Sequence, residues 1–162
     1  MAYEVSGEKR KHDKFAELAK EAERRKVVSL DNGGYAPIPH DLWRVYIPIA
    51  QEYGGRRMGD MALLYSYLLS NVNGQRDNDR YMSAWASVDN IVENTGIGVN
   101  RVSALADALE AVGLLVTAYD YTGNRRNKLY YPLYYSDLTD EEVYANMGEW
   151  LTKHGKRLGV KK

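Results

Sequence analysis

Ser87–Ala111 reads SVDNIVENTGIGVNRVSALADALEA, two apolar stripes at helical spacing with a short interruption between them. Val88, Ile91 and Val92 need one buried face, and Val102, Leu105, Ala106 and Leu109 repeat at i, i+3, i+4 and i+7. Between them stand Thr95, Gly96 and Ile97. Glycine adopts the positive φ that ends a helix, and Ile97 can plug the angle between two helices. Ser87 precedes the first stripe as an N-cap. The second stripe predicts that Asn100, Arg101, Ser103, Ala104 and Asp107 point outward. Two helices joined in this way put the start of the second into a major groove, where Asn and Arg offer bidentate base contacts.

Working outward, Gly113 ends the second helix. Two segments rich in branched and aromatic residues follow, Leu114 to Tyr121 and Lys128 to Tyr135, with YTGNRRN between them. They predict a β-hairpin around a Gly-Asn turn, its tip carrying Asn124, Arg125, Arg126 and Lys128. Upstream, Tyr81 to Trp85 reads as a short strand and Asn73 to Arg80 as a loop. Asp60 stands as the cap of a helix whose Met61, Leu64, Tyr65, Leu68, Leu69 and Val72 form one broad apolar face. GGRRMG breaks the chain before it. Tyr35 to Tyr53, with Pro37, Pro39 and Pro48, should be extended and then a short helix.

Both ends of the chain are charged. Glu8 to Lys26 predicts a helix with a thin apolar line, Phe15, Leu18 and Ala22, and the SLDNGG stretch ends it as a linker. One reading makes this a solvated arm. The other has Lys9, Arg10, Lys11, Lys14, Arg24, Arg25 and Lys26 as accessory phosphate contacts. At the far end, Thr139 to Glu142 has capping-box spacing before Val143, Met147, Trp150 and Leu151, and a basic tail follows. The sticky face of that helix either caps the core or pairs two copies; we expect pairing.

Formal net charge is +0, from 22 basic and 22 acidic side chains, which argues against a purely electrostatic DNA binder. There is no cysteine, so disulfides and thiolate metal sites are excluded. No apolar run is long enough to span a bilayer, and the amino terminus carries charge where a signal peptide needs its apolar segment, so a cytoplasmic protein without membrane contact is expected.

Three segments carry a family resemblance. DMALLYSYLLSNVNG, then YMSAWASVDNIVENTGIGVNRVSALADALEAVGLL, then NKLYYPLYY, resemble the winged-helix domains of replication initiators from plasmids and phages of Gram-positive bacteria. IPHDLW is similar to the segment that precedes the first core helix in such domains. The resemblance covers roughly residues 35 to 135. It implies an α+β, mainly α, fold: a winged helix-turn-helix over 35–136, between a charged arm and linker at 1–34 and a C-terminal helix and basic tail at 137–162. It also implies that Val99, Asn100, Arg101, Ser103 and Ala104 enter a major groove, and that Asn124, Arg125, Arg126 and Lys128 reach phosphates or the minor groove. Arg101 is the only cation opening the second helix, which shifts affinity toward the hairpin and the arms.

The expected function is therefore sequence-specific binding of double-stranded DNA in replication initiation or regulation on a plasmid or phage. A homodimer is expected, since one helix-turn-helix buries little DNA surface. The alternatives are a transcriptional regulator of the same fold and an interaction module that recruits replication or conjugation machinery. Tyr119, Tyr121, Tyr130, Tyr131, Tyr134 and Tyr135 suggest either a stacking platform for single strands or, as we expect, half-buried cross-strand partners. No enzyme is expected and no cofactor is implied. His12, His40 and His154 stand too far apart in sequence for a metal pair, and neither a phosphate loop nor a nucleophile elbow is present.

Overall fold

Proline and glycine punctuation sets the helix boundaries. The computed structural model describes residues 8–122 and 124–159, with side chains described for 14–121 and 124–159. The chain divides between Tyr35 and Ala36 into two compact units. The first contains α1, Glu8–Asp31, which runs five residues past the expected end at Lys26. Its surface is held by short-range pairs: Arg24 and Arg25 both donate to Glu21 at 2.7–2.8 Å, and Lys14 pairs with Glu17 at 3.4 Å. Hydrogen bonds from Arg24 and Arg25 hold the Glu21 carboxyl down at about 2. Phe15 and Leu18 are exposed on this helix.

The second unit starts with a π-helical turn, Leu42–Tyr46, that runs directly into α2, Ile47–Gly54. Pro48 explains the wide turn. It has no N–H for the Arg44 carbonyl, and the Ile47 N–H reaches back five residues to Leu42 instead. A 3₁₀ turn, Arg56–Gly59, leads into α3, Asp60–Ser70. Asp60 is the first residue of α3 rather than its cap, and its carboxylate is used elsewhere. Met61, Leu64, Tyr65 and Leu68 of α3 are fully buried. The Tyr65 hydroxyl donates to the Leu133 carbonyl at 2.6 Å, and burial pushes its phenol up to about 12, so it stays a donor.

Next come β1, Ala84–Trp85, shorter than the expected strand, then α4, Val88–Thr95, and α5, Val99–Ala111. Ser87 Oγ accepts from the Asn90 N–H at 3.1 Å, Gly96 is left-handed at φ 73°, and Ile97 is buried in the corner between α4 and α5. Strands β2, Leu115–Thr122, and β3, Arg125–Pro132, form the hairpin. Its register closes tightly, Thr122 against Arg125, so both arginines lie in β3 rather than in a wide tip loop. β1 pairs antiparallel with β3 to give a three-stranded sheet in the order β1-β3-β2.

Helix α6, Asp140–Leu158, opens with the Thr139/Glu142 capping box and belongs to the same unit. Its Val143, Met147 and Trp150 are buried in the common core with α3 and α5. This corrects the expectation that Trp150 forms a contact between two copies. A nonpolar stripe this long is used up within one chain.

Gly113 fixes the turn from α5 into β2. It is left-handed at φ 79°, and a Cβ there would stand 2.3 Å from Ser136 Oγ and 3.1 Å from Leu138. Gly96 is also left-handed but opens onto empty space. Denaturant unfolding should therefore show Gly96→Ala costing about 1–2 kcal/mol, the left-handed penalty alone. Gly113→Ala should cost at least about 1 kcal/mol more, because overpacking is added.

Candidate nucleic-acid interface

Helix α5 exposes a narrower strip than its apolar spacing suggests. Val99 is 57% exposed and Asn100 and Ser103 are also exposed, but Ala104 is 2% exposed and faces α6. At about 100° per residue, Arg101 lies roughly 160° around the helix from Ser103, so the two cannot share one groove-facing surface. Arg101 turns the other way. Its guanidinium pairs with Asp60 and donates to the Arg57 carbonyl at 2.8 Å, leaving the side chain 19% exposed. The expected outward face is thus corrected first at Ala104, which is core, and at Arg101, which ties α5 to the start of α3.

Ala104 is covered by α6, which runs antiparallel along α5. Asn146 donates to the Ala111 carbonyl at 3.0 Å, Trp150 Nε1 to the Ala104 carbonyl at 2.7 Å, and Arg157 to Asn100 Oδ1 at 3.1 Å. Between them Asp107 Oδ2 lies 2.7 Å from both Lys153 Nζ and His154 Nε2. Asp107 therefore does not point freely outward either. Beside these residues is a cleft of about 320 Å³ bordered by Asp107, Glu110, Glu149 and Lys153.

Burial opposes ionisation of Asp107, but hydrogen bonds from Lys153 and His154 outweigh it and hold the carboxyl below its ordinary value of 3.8. A lowered folded-state value means that this tie is fully present above the ordinary aspartate range and is lost as pH falls through the lowered value. On acidification from about pH 5, the melting temperature of the wild type should fall more steeply than that of Asp107→Asn.

The base of the hairpin is tied to the end of α5: Glu110 Oε1 accepts from the Thr117 N–H and hydroxyl at 2.8 and 2.6 Å. Because side chains alternate, the register puts Thr117, Tyr119 and Tyr121 with Tyr130, Lys128 and Arg126 on the helix-facing side. The Arg126 guanidinium lies 3.6 Å from the Tyr119 ring centroid, and the Lys128 ammonium 5.2 Å from that of Tyr130. Asn124 and Arg125 are exposed at the hairpin's end, and Tyr121 is 69% exposed.

The six tyrosines form no single platform. Tyr130 is buried, Tyr131 is on the opposite sheet face, and Tyr134 and Tyr135 lie beyond β3.

The structure thus brings Val99, Asn100 and Ser103 to one exposed strip and orients Arg126 and Lys128 toward the helices. Arg24 and Arg25 are bonded to Glu21, Lys14 to Glu17, and Lys26 is exposed near the end of α1. Lys9, Arg10 and Lys11 fall within α1, and their side chains lie outside the described residues. Sequence reading missed Lys153 and Arg157, which stand four apart on α6 and border α5. Their signal was present: they follow the buried stripe at a fixed offset, but only the α5–α6 packing says what that offset faces.

Among the described residues no group of His, Cys, Asp and Glu could hold a metal ion, and no helix is long and apolar enough to cross a membrane. His154 is buried against Asp107. No family model, curated protein or solved structure matches the chain.

Proposed function

We propose that residues 36–158 form a winged helix-turn-helix that binds double-stranded DNA, acting in replication initiation or regulation on a plasmid or phage. The order of α3, β1, α4, α5, β2 and β3, with a β1-β3-β2 sheet, supports this reading of the fold. One observation carries the functional reading: the basic hairpin is joined at Thr117 to Glu110 of α5, the helix whose exposed strip begins with Val99, Asn100 and Ser103. In this reading Asn100 and Ser103 offer hydrogen bonds to base edges and Val99 an apolar contact. Asn124, Arg125, Arg126 and Lys128 reach phosphates or the minor groove. Arg101 acts as a brace that sets the angle of α5 against α3. The protein works as a homodimer, because one copy presents a small reading surface.

Titrating the full chain with a labelled random-sequence duplex at several salt concentrations tests this. Arg125→Ala/Arg126→Ala should weaken all sequences alike and reduce the slope of log K against log salt by about 2. Unchanged binding would remove the hairpin from the interface. Recovery of a palindrome by selection from random duplexes would support two-fold pairing.

The second reading, a protein-interaction module, is favoured by the acidic far end of the α5 strip, where Asp107, Glu110 and Glu149 gather. It predicts a partner retained by a protein with no salt-dependent affinity for duplex.

A further inference from the structure

Helix α6 lies beside the exposed strip of α5, and past Glu149 it places two cations there, Lys153 and Arg157. Lys153 and Arg157 are both exposed and stand one helical turn apart, about 6 Å along the axis. Each is oriented by one bond to α5, Lys153 to Asp107 and Arg157 to Asn100. An ammonium has three donors and a guanidinium five, so each keeps donors to spare. The hairpin carries Arg126 and Lys128 on its helix-facing side. The exposed strip of α5 contains Val99 and Ser103, with no side-chain cap on the α5 N-terminus.

We propose that α6 is a second phosphate-contacting wall: Lys153 and Arg157 bind the sugar-phosphate backbone of one strand of a duplex while the hairpin holds the other. This inference rests on the DNA-binding reading above and deepens it by adding residues and a geometry. The cations that the start of α5 lacks are supplied by the other end of the chain. The same helix covers Ala104, so the duplex meets only the first turns of α5 and is centred by its two flanks. Anchoring of Lys153 and Arg157 by Asp107 and Asn100 reduces the freedom each must lose on binding phosphate.

The test is the salt dependence of duplex binding by the full-length chain, read by fluorescence anisotropy on a random-sequence duplex. Arg157→Ala and Lys153→Ala should each reduce the slope of log K against log salt by about 1 and weaken binding about threefold or more at moderate salt. Arg76→Ala, on the 71–83 loop, should change neither. Arg157 loses only one exposed hydrogen bond, so its variant reports on binding even if Lys153→Ala loosens the α5–α6 contact. Melting temperature checks that point. If both variants keep the wild-type slope while the hairpin variant loses slope, the second wall is wrong and the DNA-binding reading stands. A wild-type protein without salt-dependent duplex binding overturns both.

Discussion

Trp150→Ala should lose about 3–5 kcal/mol of stability, the range for truncating a buried tryptophan. Trp150 is 3% exposed in the core shared by α3, α5 and α6, and its indole N–H donates to the Ala104 carbonyl. Removing the ring leaves a void against α5 and releases that carbonyl inside the protein. Trp150→Phe separates the two effects: it keeps much of the packing and should cost less, with about 1–2 kcal/mol from the lost hydrogen bond. Chemical denaturation with both variants measures the difference. A surface-like cost under about 0.5 kcal/mol for Trp150→Ala would mean that α6 is not docked on α5.

The second large effect is expected at Ser103. This side chain is exposed on α5, so Ser103→Glu should leave the melting temperature nearly unchanged. A carboxylate there faces incoming phosphates and adds to the acidic end of the strip. Duplex affinity should fall by about tenfold to a hundredfold, equivalent to about 1–3 kcal/mol. Ala104→Glu, one residue on, should behave in the opposite way: it forces a charge under α6 and unfolds the protein rather than acting on binding alone. The pair thus distinguishes the strip that the structure exposes from the wider face that helical periodicity suggests. Equal effects of the two variants on stability would contradict that division.

Much of the fold was legible because its signals are local. Ser87, Gly96, Gly113 and the Thr139/Glu142 box each act within a few residues, and all four appear in their expected roles. The α3 stripe and the hairpin follow from short-range periodicity in the same way. What was illegible is the packing of one helix on another. Val102, Leu105 and Leu109 announce one buried side of α5, but nothing within α5 announces a second. Alanine at 104, 108 and 111 suits an exposed helix and a close helix–helix contact equally well. The partner signal lay some forty residues away, in the Val143, Met147 and Trp150 stripe, which equally fits a dimer. Arg101 was misread for the same reason: its position at the start of a helix suggests a groove, whereas its bond to Asp60 depends on how α3 and α5 meet. The hairpin was placed correctly but drawn too open, since Arg125 and Arg126 continue the β3 ladder up to the closing pair with Thr122.

Amide chemical-shift mapping of the full-length protein on addition of a duplex tests the account most directly, because it reads every contact at once without a mutation. The account predicts shifts concentrated in three segments, 99–103, 119–128 and 153–157, which weaken together as salt rises. Shifts confined to the 71–83 loop or to α2, or none in any segment at low salt, would contradict it.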